Sequence, residues 1–171
     1  QVVSFRQALT EGHGKPLRRA TVGHDSIAFL QYTGGTTGLS KGAALTHGNL
    51  IANSQQFGLF MPDAMRPGEE VVVTAIPLYH IFALMVSLSY LSVGAENWLV
   101  ANPRDMDGFV GVLAQARPTV FMGVNTLYGG LVQHPKLGEV DWSRLKIAIG
   151  GGAAVVGAVS DRWKAITGHF I

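Results

Sequence analysis

Residues 32–42 of the chain have the sequence YTGGTTGLSKG, and they follow the apolar run Ile27-Ala28-Phe29-Leu30, which predicts a buried β-strand. The ten residues from Thr33 to Gly42 include four glycines, three threonines, one serine and one lysine. Glycine lets a backbone turn tightly and approach a ligand closely, and successive exposed N–H groups form a concave anion site. The stretch therefore predicts a loop that binds the phosphates of a nucleotide, with Lys41 supplying a compact positive charge.

Two other interpretations of this loop are less favoured. A stretch of Gly, Thr and Ser between two elements is usually a flexible turn, but this one follows a strand, combines four glycines with hydroxyl side chains and ends in a lysine. A Walker-type loop requires Gly-Lys-Ser/Thr at its end, whereas Lys41 lies between Ser40 and Gly42. The sequence therefore disfavours a P-loop NTPase.

The composition of the chain narrows the class of protein. Its 171 residues are enough for one domain with a core. Only 14% of them are charged, against roughly 25% in typical soluble domains, so the chain either buries much of its surface or packs against something else. A net charge of +2, with one basic cluster formed by Lys15, Arg18 and Arg19, argues against a nucleic-acid partner. The absence of cysteine excludes disulfides and thiol chemistry and is compatible with a reducing cytosol.

Apolar runs alternate with helical patterns along the chain. This alternation predicts an α/β fold with a doubly wound, mostly parallel sheet flanked by helices. The predicted strands span 27–31, 70–75, 96–100, 119–122 and 145–149, and the predicted helices span 4–9, 47–60, 80–93, 106–116, 124–133 and 155–167. Ligands of such sheets bind beyond the carboxyl ends of the strands, where both the glycine-rich loop and Gly150-Gly151-Gly152 are expected.

Local signals fix several helix boundaries. Thr46 or His47 precedes the first long helix, and Asp105 is a candidate N-cap before Met106. Pro118 is expected to stop the helix before it. The apolar run 81–93 is too short for a membrane span, which needs about 20 residues, so it predicts a buried helix.

Residues 30–41 resemble, position by position, the AMP-binding loop of the adenylate-forming enzymes. The surrounding segments are similar to bacterial long-chain fatty acid–CoA ligases; these segments are FLQY at 29–32, GAALTHGNL at 42–50, PLYHIFAL at 77–84, NPRD at 102–105, GVNTL at 123–127 and GGG at 150–152. They occur in family order and at family-like spacing. The resemblance implies that residues 26–171 form part of an AMP-binding domain and that residues 1–25 are a linker or partial segment.

The same resemblance implies a set of nucleotide-binding residues. The loop hydroxyls and Lys41 would contact the β- and γ-phosphates and the pyrophosphate, with Thr36 also a contact for Mg²⁺. The turn after the last strand would form one wall of the adenine pocket, although many relatives have Met-Pro or Ala-Pro where this chain has Ala153-Ala154. The implied residues are Thr33, Gly34, Gly35, Thr36, Thr37, Gly38, Lys41, Gly151, Gly152 and Ala153.

His80 lies between a strand and an apolar helix, where a histidine is commonly a packed residue or a helix cap. The resemblance implies a catalytic role, in which its imidazole hydrogen-bonds the acyl carboxylate or the adenylate. Tyr79 and Phe82 fit either packing or substrate contact. The segment 123–126 resembles the lining of the acyl tunnel, although an ordinary turn capped by Asn125 explains it equally. The implied substrate-binding residues are Tyr79, His80, Gly123 and Val124.

The resemblance implies the activity of an ATP-dependent long-chain fatty acid–CoA ligase. In that reaction the fatty acid carboxylate attacks the α-phosphorus of ATP and releases pyrophosphate, with Mg²⁺ bridging the phosphates. The thiol of coenzyme A then attacks the acyl carbon of the acyl-adenylate and displaces AMP. ATP, Mg²⁺ and coenzyme A are the expected cofactors and co-substrates. We expect a cytoplasmic protein that self-associates through exposed apolar surface, and peripheral contact of the parent enzyme with the inner membrane stays open.

Two alternatives remain. In the first alternative, the chain is a non-catalytic module that binds a nucleotide or phosphate. In the second, it is part of a ligase that activates another carboxylic acid. Amino-acid activators usually offer an acidic residue to the substrate ammonium, and none lies at 124–126. The chain stops just short of the place where relatives carry a Tyr-Gly-x-Thr-Glu segment, so we expect a fragment that does not catalyse the reaction by itself.

Overall fold

The computed structural model describes residues 2–17, 19–33 and 41–171, with the backbone alone at Thr33. The helices and strands of these residues are α1 (Phe5–Gly12), β1 (Ile27–Thr33), β2 (Lys41–Thr46), α2 (His47–Phe60), β3 (Val71–Thr74), α3 (Ile81–Ser92), β4 (Glu96–Leu99), α4 (Met106–Ala116), β5 (Val120–Gly123), α5 (Asn125–Leu131), β6 (Ile147–Gly150) and α6 (Gly157–Thr167). Short 3₁₀ turns occupy Pro62–Ala64 and Leu137–Glu139.

Strands β3 to β6 form a parallel sheet in the order β4-β3-β5-β6. Successive side chains of a strand point to opposite faces. Val71 and Val73 therefore pack in the core with residues of α4, α5 and α6, whereas Val72 packs in a second core with residues of α2 and α3. Helices cover both faces of the sheet, which confirms the predicted doubly wound α/β fold.

The direction in which strands are added reverses between β3 and β5. From β3 the chain passes through α3 to β4 on one side, and then through α4 to β5 on the other side of β3. Helices α3 and α5, which follow β3 and β5, pack on opposite faces of the sheet, so the loops that leave these two strands diverge. Such a switch point opens a crevice beyond the carboxyl ends of the strands, and this crevice sets the position of the candidate site.

The first predicted strand does not belong to the parallel sheet. Strand β1 pairs antiparallel with β2 in a separate two-stranded sheet, and Thr33 faces Lys41 where the hairpin opens into the glycine-rich loop. The strand forms where it was predicted, but the expectation that it is buried is wrong, since Ile27 and Leu30 are each 60% exposed. The short return through residues 34–40 explains the pairing, because a parallel partner needs a long crossover. A two-stranded sheet also buries little of its surface.

The bounds of α2 and α4 agree with the prediction because side-chain caps fix them. Thr46 Oγ1 accepts a bond from the Asn49 N–H at 3.2 Å, and Asn49 Oδ1 accepts one from the Thr46 N–H at 3.0 Å, which forms a capping box. Asp105 Oδ1 accepts from the Gly108 N–H at 3.0 Å at the start of α4. Pro118 follows the left-handed C-cap residue of α4, as expected for a helix stop.

Helix α3 contributes Ala83, Val86 and Tyr90 to the core, which confirms the buried helix predicted for the apolar run. Burial also raises the pKa of the Tyr90 hydroxyl, with a smaller contribution from the nearby negative charge of Glu70. Within the described parts of the chain, no helix is both long and apolar enough to cross a membrane.

A buried ion pair closes the amino edge of the parallel sheet. Glu70 is 1% exposed and accepts hydrogen bonds from the Lys146 ammonium and, at 3.1 Å, from the Arg66 N–H. Burial alone would raise the pKa of Glu70, but the hydrogen bonds from Lys146, Thr119 and the Arg66 backbone together hold it below its ordinary value. Thr119 also accepts a bond from the Val71 N–H at 2.9 Å. This network holds the starts of β3, β5 and β6 together, at the edge opposite the candidate site.

Candidate functional site

The predicted substrate residues and the glycines after the last strand come together at the carboxyl edge of the parallel sheet. We call this region the carboxyl-edge site and define it as the segments 75–82, 123–126 and 150–156, which follow β3, β5 and β6. Strands β3, β5 and β6 are neighbours in the sheet. The fold therefore gathers residues that lie more than 70 positions apart in the sequence.

His80 caps helix α3 and is exposed at the site. Its Nδ1 accepts a hydrogen bond from the Phe82 N–H at 3.3 Å. Because Nδ1 is the acceptor, a neutral imidazole carries its proton on Nε2. The cap and the predicted ligand contact are thus compatible, since the Nε2–H stays available as a donor.

Tyr79 is 80% exposed and therefore presents its ring to solvent or to a ligand. Its backbone carbonyl is held from the other sheet, because Gln31 Nε2 on β1 donates to Tyr79 O at 2.8 Å. This contact joins the hairpin to the carboxyl-edge site. Sequence reasoning missed it, since nothing local links two residues 48 positions apart.

Phe82 packs directly over the backbone of Gly151. A Cβ placed on Gly151 would lie 2.7 Å from Phe82 Cε1 and 2.8 Å from Cζ, closer than carbon atoms approach. The Gly151 N–H also donates to Gly123 O at 3.2 Å. A glycine at 151 is therefore required for the loop after β6 to touch both the start of α3 and the end of β5.

The turn that follows is equally dependent on glycine. Gly152 has φ +81, in the left-handed region that side chains disfavour, and a Cβ there would lie 3.7 Å from Val124. Gly152 and Ala153 are exposed. The turn therefore presents nearly bare backbone at the site, and its role as a wall of the adenine pocket stays a prediction.

Gly123 and Val124 line the loop between β5 and α5. Gly123 is in contact with Tyr128, because an added Cβ would lie 3.0 Å from its ring. The Tyr128 hydroxyl donates across the sheet to Phe121 O at 3.3 Å and Ile149 O at 3.1 Å, and burial raises the pKa of Tyr128. The side chain fastens β5 to β6 just below the site.

The sequence suggested that Asn125 caps its own helix, but it does not. The N-cap of α5 is Val124, which forms no side-chain cap bond. Asn125 Oδ1 instead accepts from the Val156 N–H at 3.0 Å, at the start of α6. The amide thus fixes the distance between the loops after β5 and β6, because a side chain at the first helical turn reaches across to the neighbouring loop.

A largely apolar cavity of about 410 Å³ opens at the switch point between β3 and β5. It is lined by Ala75, Ile76, Pro77, Pro103, Arg104, Met106, Val124, Thr126 and Leu127. Arg104 is the single charged residue in this lining. The sequence pointed to Val124 as acyl contact, but only the fold shows that the loop after β4 supplies the opposite wall.

Lys41 begins β2 and is exposed beside the glycine-rich loop. The predicted contacts Gly34, Gly35, Thr36, Thr37 and Gly38 lie outside the described residues, as does the side chain of Thr33. Their roles in phosphate binding, and that of Thr36 toward Mg²⁺, stay predictions. Among the residues that the structure describes, no group of three or more His, Asp or Glu side chains could hold a metal ion.

Comparison with known sequences identifies the family of the chain. The profile of the family described as AMP-binding enzyme matches residues 3–171. This chain belongs to the AMP-binding enzyme family. The match begins at residue 3, whereas the resemblance seen in the sequence begins at residue 26. The division of the chain into residues 1–25 and 26–171 stays a prediction.

Individual members are similar over nearly the whole chain. A long-chain-fatty-acid–CoA ligase of Salmonella typhimurium is 44% identical over 170 residues, which cover 99% of this chain and 30% of the relative. The long-chain-fatty-acid–CoA ligase of Haemophilus influenzae is 43% identical over 171 residues, which cover 97% of this chain and 30% of the relative. The ATP-bound structure of MatB from Rhodopseudomonas palustris matches with a TM-score of 0.76 at 32% identity, covering 96% of this chain and 32% of that one. The chain thus spans about 30% of the length of the curated relatives it matches.

Proposed function

We propose that this member of the AMP-binding family supplies nucleotide- and acyl-contacting surface of an ATP-dependent long-chain fatty acid–CoA ligase. The observation that carries the proposal is the carboxyl-edge site, where the segments of His80, Val124 and Gly152 follow neighbouring strands at a switch point and Gly152 lies beside Val124. The 44% identity to a long-chain-fatty-acid–CoA ligase supports the choice of reaction.

The described residues fit ATP in two places. The exposed backbone of Gly152 and Ala153 offers a surface nearly free of side chains, against which a flat base can lie. Lys41 offers a point charge suited to phosphate at the mouth of the hairpin. The base and the phosphates would then contact different sheets, with the ribose between them.

Mg²⁺ is usually held through substrate phosphates and one or two carboxylates, and it keeps several waters. Among the described residues no acidic cluster could hold it, and Thr36 is the predicted contact of this chain. When bound, the ion would neutralise phosphate charge. We assign no residue to coenzyme A.

The cavity at the switch point suits the alkyl part of an acid. Its lining is mostly apolar and includes Pro77, which precedes His80 by three residues in the sequence. The His80 Nε2–H would orient the carboxylate toward the α-phosphorus, while Lys41 and the loop N–H groups would stabilise the negative charge of the departing pyrophosphate. The chain's own residues thus position both reactants.

Titration of the 171-residue chain with ATP and Mg²⁺ tests nucleotide binding. Lys41→Ala should weaken the affinity about tenfold, in line with the loss of a hydrogen bond to a charged group. Lys15→Ala removes an exposed positive charge outside the site and should leave the affinity within twofold. No ATP binding by the wild-type chain, or equal losses in both variants, would contradict the phosphate role. We expect no acyl-adenylate from the isolated chain with palmitate.

A segment exchange tests the reaction. The matching 170 residues of the Salmonella ligase are replaced by this chain, and acyl-CoA formation is measured with palmitate, decanoate and benzoate. We expect acyl-CoA formation with palmitate as the preferred acid. An exchanged enzyme that binds ATP but prefers benzoate or decanoate would overturn the long-chain assignment. Cytoplasmic location, membrane contact and self-association stay predictions.

A further inference from the structure

We propose that Gln31 is a positioning residue that couples the stem of the glycine-rich loop to the Tyr79–His80 segment. The proposal deepens the proposed function and rests on it, since it concerns how the phosphate-binding and carboxylate-binding parts are held together. Among the described residues, the bond from Gln31 Nε2 to Tyr79 O is the one hydrogen bond between the hairpin and the carboxyl-edge site.

The geometry of this bond is that of a strong amide hydrogen bond. The donor–acceptor distance is 2.8 Å, at the short end of the usual range. A backbone carbonyl can only accept, so the nitrogen of the carboxamide must face Tyr79. The second described contact of the same nitrogen, to Tyr32 O at 3.4 Å, is longer and stays within β1.

The exposure pattern of β1 also singles out Gln31. Its apolar neighbours Leu30 and Tyr32 are 60% and 61% exposed, whereas the polar Gln31 is half-buried. An apolar–polar alternation that served only to bury the strand would show the opposite order. A protected polar residue is the informative case, and here the protected residue is the one that bonds Tyr79 O.

The position of Gln31 along the hairpin makes the bond consequential. Gln31 faces Ala43, two residues from the Thr33–Lys41 pair that opens into the loop. At about 3.3 Å per residue, the loop begins about 7 Å from a point fixed to the backbone of Tyr79. His80 follows directly, so Gln31 sets the distance between Lys41 and the His80 imidazole.

The first test uses the 171-residue chain without any ligand. Gln31→Met keeps the shape of the side chain and removes the donor, and Gln56→Met does the same at an exposed position on α2. Hydrogen exchange is followed by NMR at His80, whose N–H bonds Pro77 O, and at Phe82, whose N–H bonds His80 Nδ1. Gln31→Met should speed both about threefold to tenfold, the effect of one lost hydrogen bond. Gln31→Lys, with a donor one bond further out, should restore slow exchange.

The second test uses the segment-exchanged ligase. Gln31→Met should lower kcat about threefold to tenfold and leave the KM for ATP within twofold, because the phosphate contacts of the loop are kept while their distance from His80 is not. Gln56→Met should change neither. A purely structural role would lower the melting temperature and the active fraction instead of kcat alone.

The outcomes separate the two proposals. If the segment-exchanged ligase with wild-type Gln31 forms no acyl-CoA, the proposed function is wrong. In that case the hydrogen-exchange measurement on the 171-residue chain alone decides the role of Gln31. Unchanged exchange at His80 and Phe82 in Gln31→Met overturns the positioning role. So does a loss of kcat that Gln56→Met reproduces or that Gln31→Lys does not reverse.

Discussion

Substitution of Gly151 by alanine tests the closest approach in the carboxyl-edge site. The added Cβ would lie 2.7, 2.8 and 3.0 Å from three ring carbons of Phe82. Carbon atoms in contact prefer about 3.5–4.0 Å, so the ring or the loop must move by about 1 Å. Phe82 is partly buried and packs against the core that includes Val86 and Tyr90. The ring therefore cannot move freely into solvent, and its displacement must disturb this packing.

Two opposing terms set the magnitude. Overpacking of this kind typically costs about 1–3 kcal/mol. Gly151 does not have positive φ, so alanine is conformationally compatible and recovers about 0.4–1 kcal/mol by restricting the unfolded chain. We therefore expect Gly151→Ala to lower the free energy of unfolding by about 0.5–2 kcal/mol.

Urea unfolding followed by tryptophan fluorescence measures this change. Gly111→Ala is the matched control, because an added Cβ on α4 meets nothing within 4 Å and should stabilise the helix by up to about 1 kcal/mol. In a Phe82→Leu background the cost of Gly151→Ala should fall below about 0.5 kcal/mol, since the ring is gone. Equal costs in the two backgrounds, or stabilisation by Gly151→Ala in the wild type, would refute the contact.

Three further outcomes are expected. Lys146→Met should destabilise the chain by about 3–5 kcal/mol, because it leaves the buried Glu70 carboxylate without its cation. In the wild type the folded-state pKa of Glu70 is lowered from its ordinary value of 4.5, so the stabilisation by Glu70 is present above pH 4.5. It should be lost as the pH falls through the folded-state pKa, which acid titration of the free energy of unfolding would show. His80→Asn keeps a cap acceptor but removes the Nε2–H, so unfolding should be unchanged while the segment-exchanged ligase loses about tenfold in kcat. Leu59→Glu with Phe60→Glu, at side chains 83% and 84% exposed, should lower the sedimentation coefficient if the chain self-associates through α2.

The first two of these expectations have a control variant, and the third has an outcome that would contradict it. Lys136→Met removes an exposed lysine and should cost less than about 0.5 kcal/mol; a similar loss in Lys146→Met would mean that Glu70 is not dependent on its partner. His134→Asn changes a histidine outside the site and should leave kcat unchanged. A wild-type chain that sediments as a monomer at high concentration would contradict self-association.

The parallel sheet and its helices were predictable because their signals are local. Helices α2 and α4 have the predicted bounds, since Thr46 and Asp105 are caps within three residues of the N–H groups they bind. The strand predicted at 70–75 forms as β3, and it is buried along its whole length, as a continuous apolar run in a parallel sheet is. The glycines after β6 were expected at the carboxyl edge, and they lie there.

The hairpin was missed because its signals are weak. Residues 41–46, KGAALT, contain small side chains with low strand propensity and were interpreted as the end of a motif. Strand β2 forms because β1 is available as a partner across the loop. The contacts Gln31–Tyr79, Phe82–Gly151 and Asn125–Val156 join residues at least 31 positions apart, so no periodicity or local spacing could reveal them.

The separation into two sheets has a mechanical consequence for the site. The hairpin shares no strand with the parallel sheet, so no ladder of backbone bonds fixes Lys41 relative to His80. The links that the structure describes include the Gln31 bond and the packing of α2 on α3, where Phe57 meets Tyr90 edge to face at 5.8 Å and Ser89 Oγ donates to Ser54 Oγ at 3.0 Å. The packing holds the far end of the joint through a buried aromatic contact, whereas the near end depends on one amide. A small rotation about that packed end would therefore change the distance between the phosphate loop and the carboxylate contact, and Gln31 is the residue placed to oppose it.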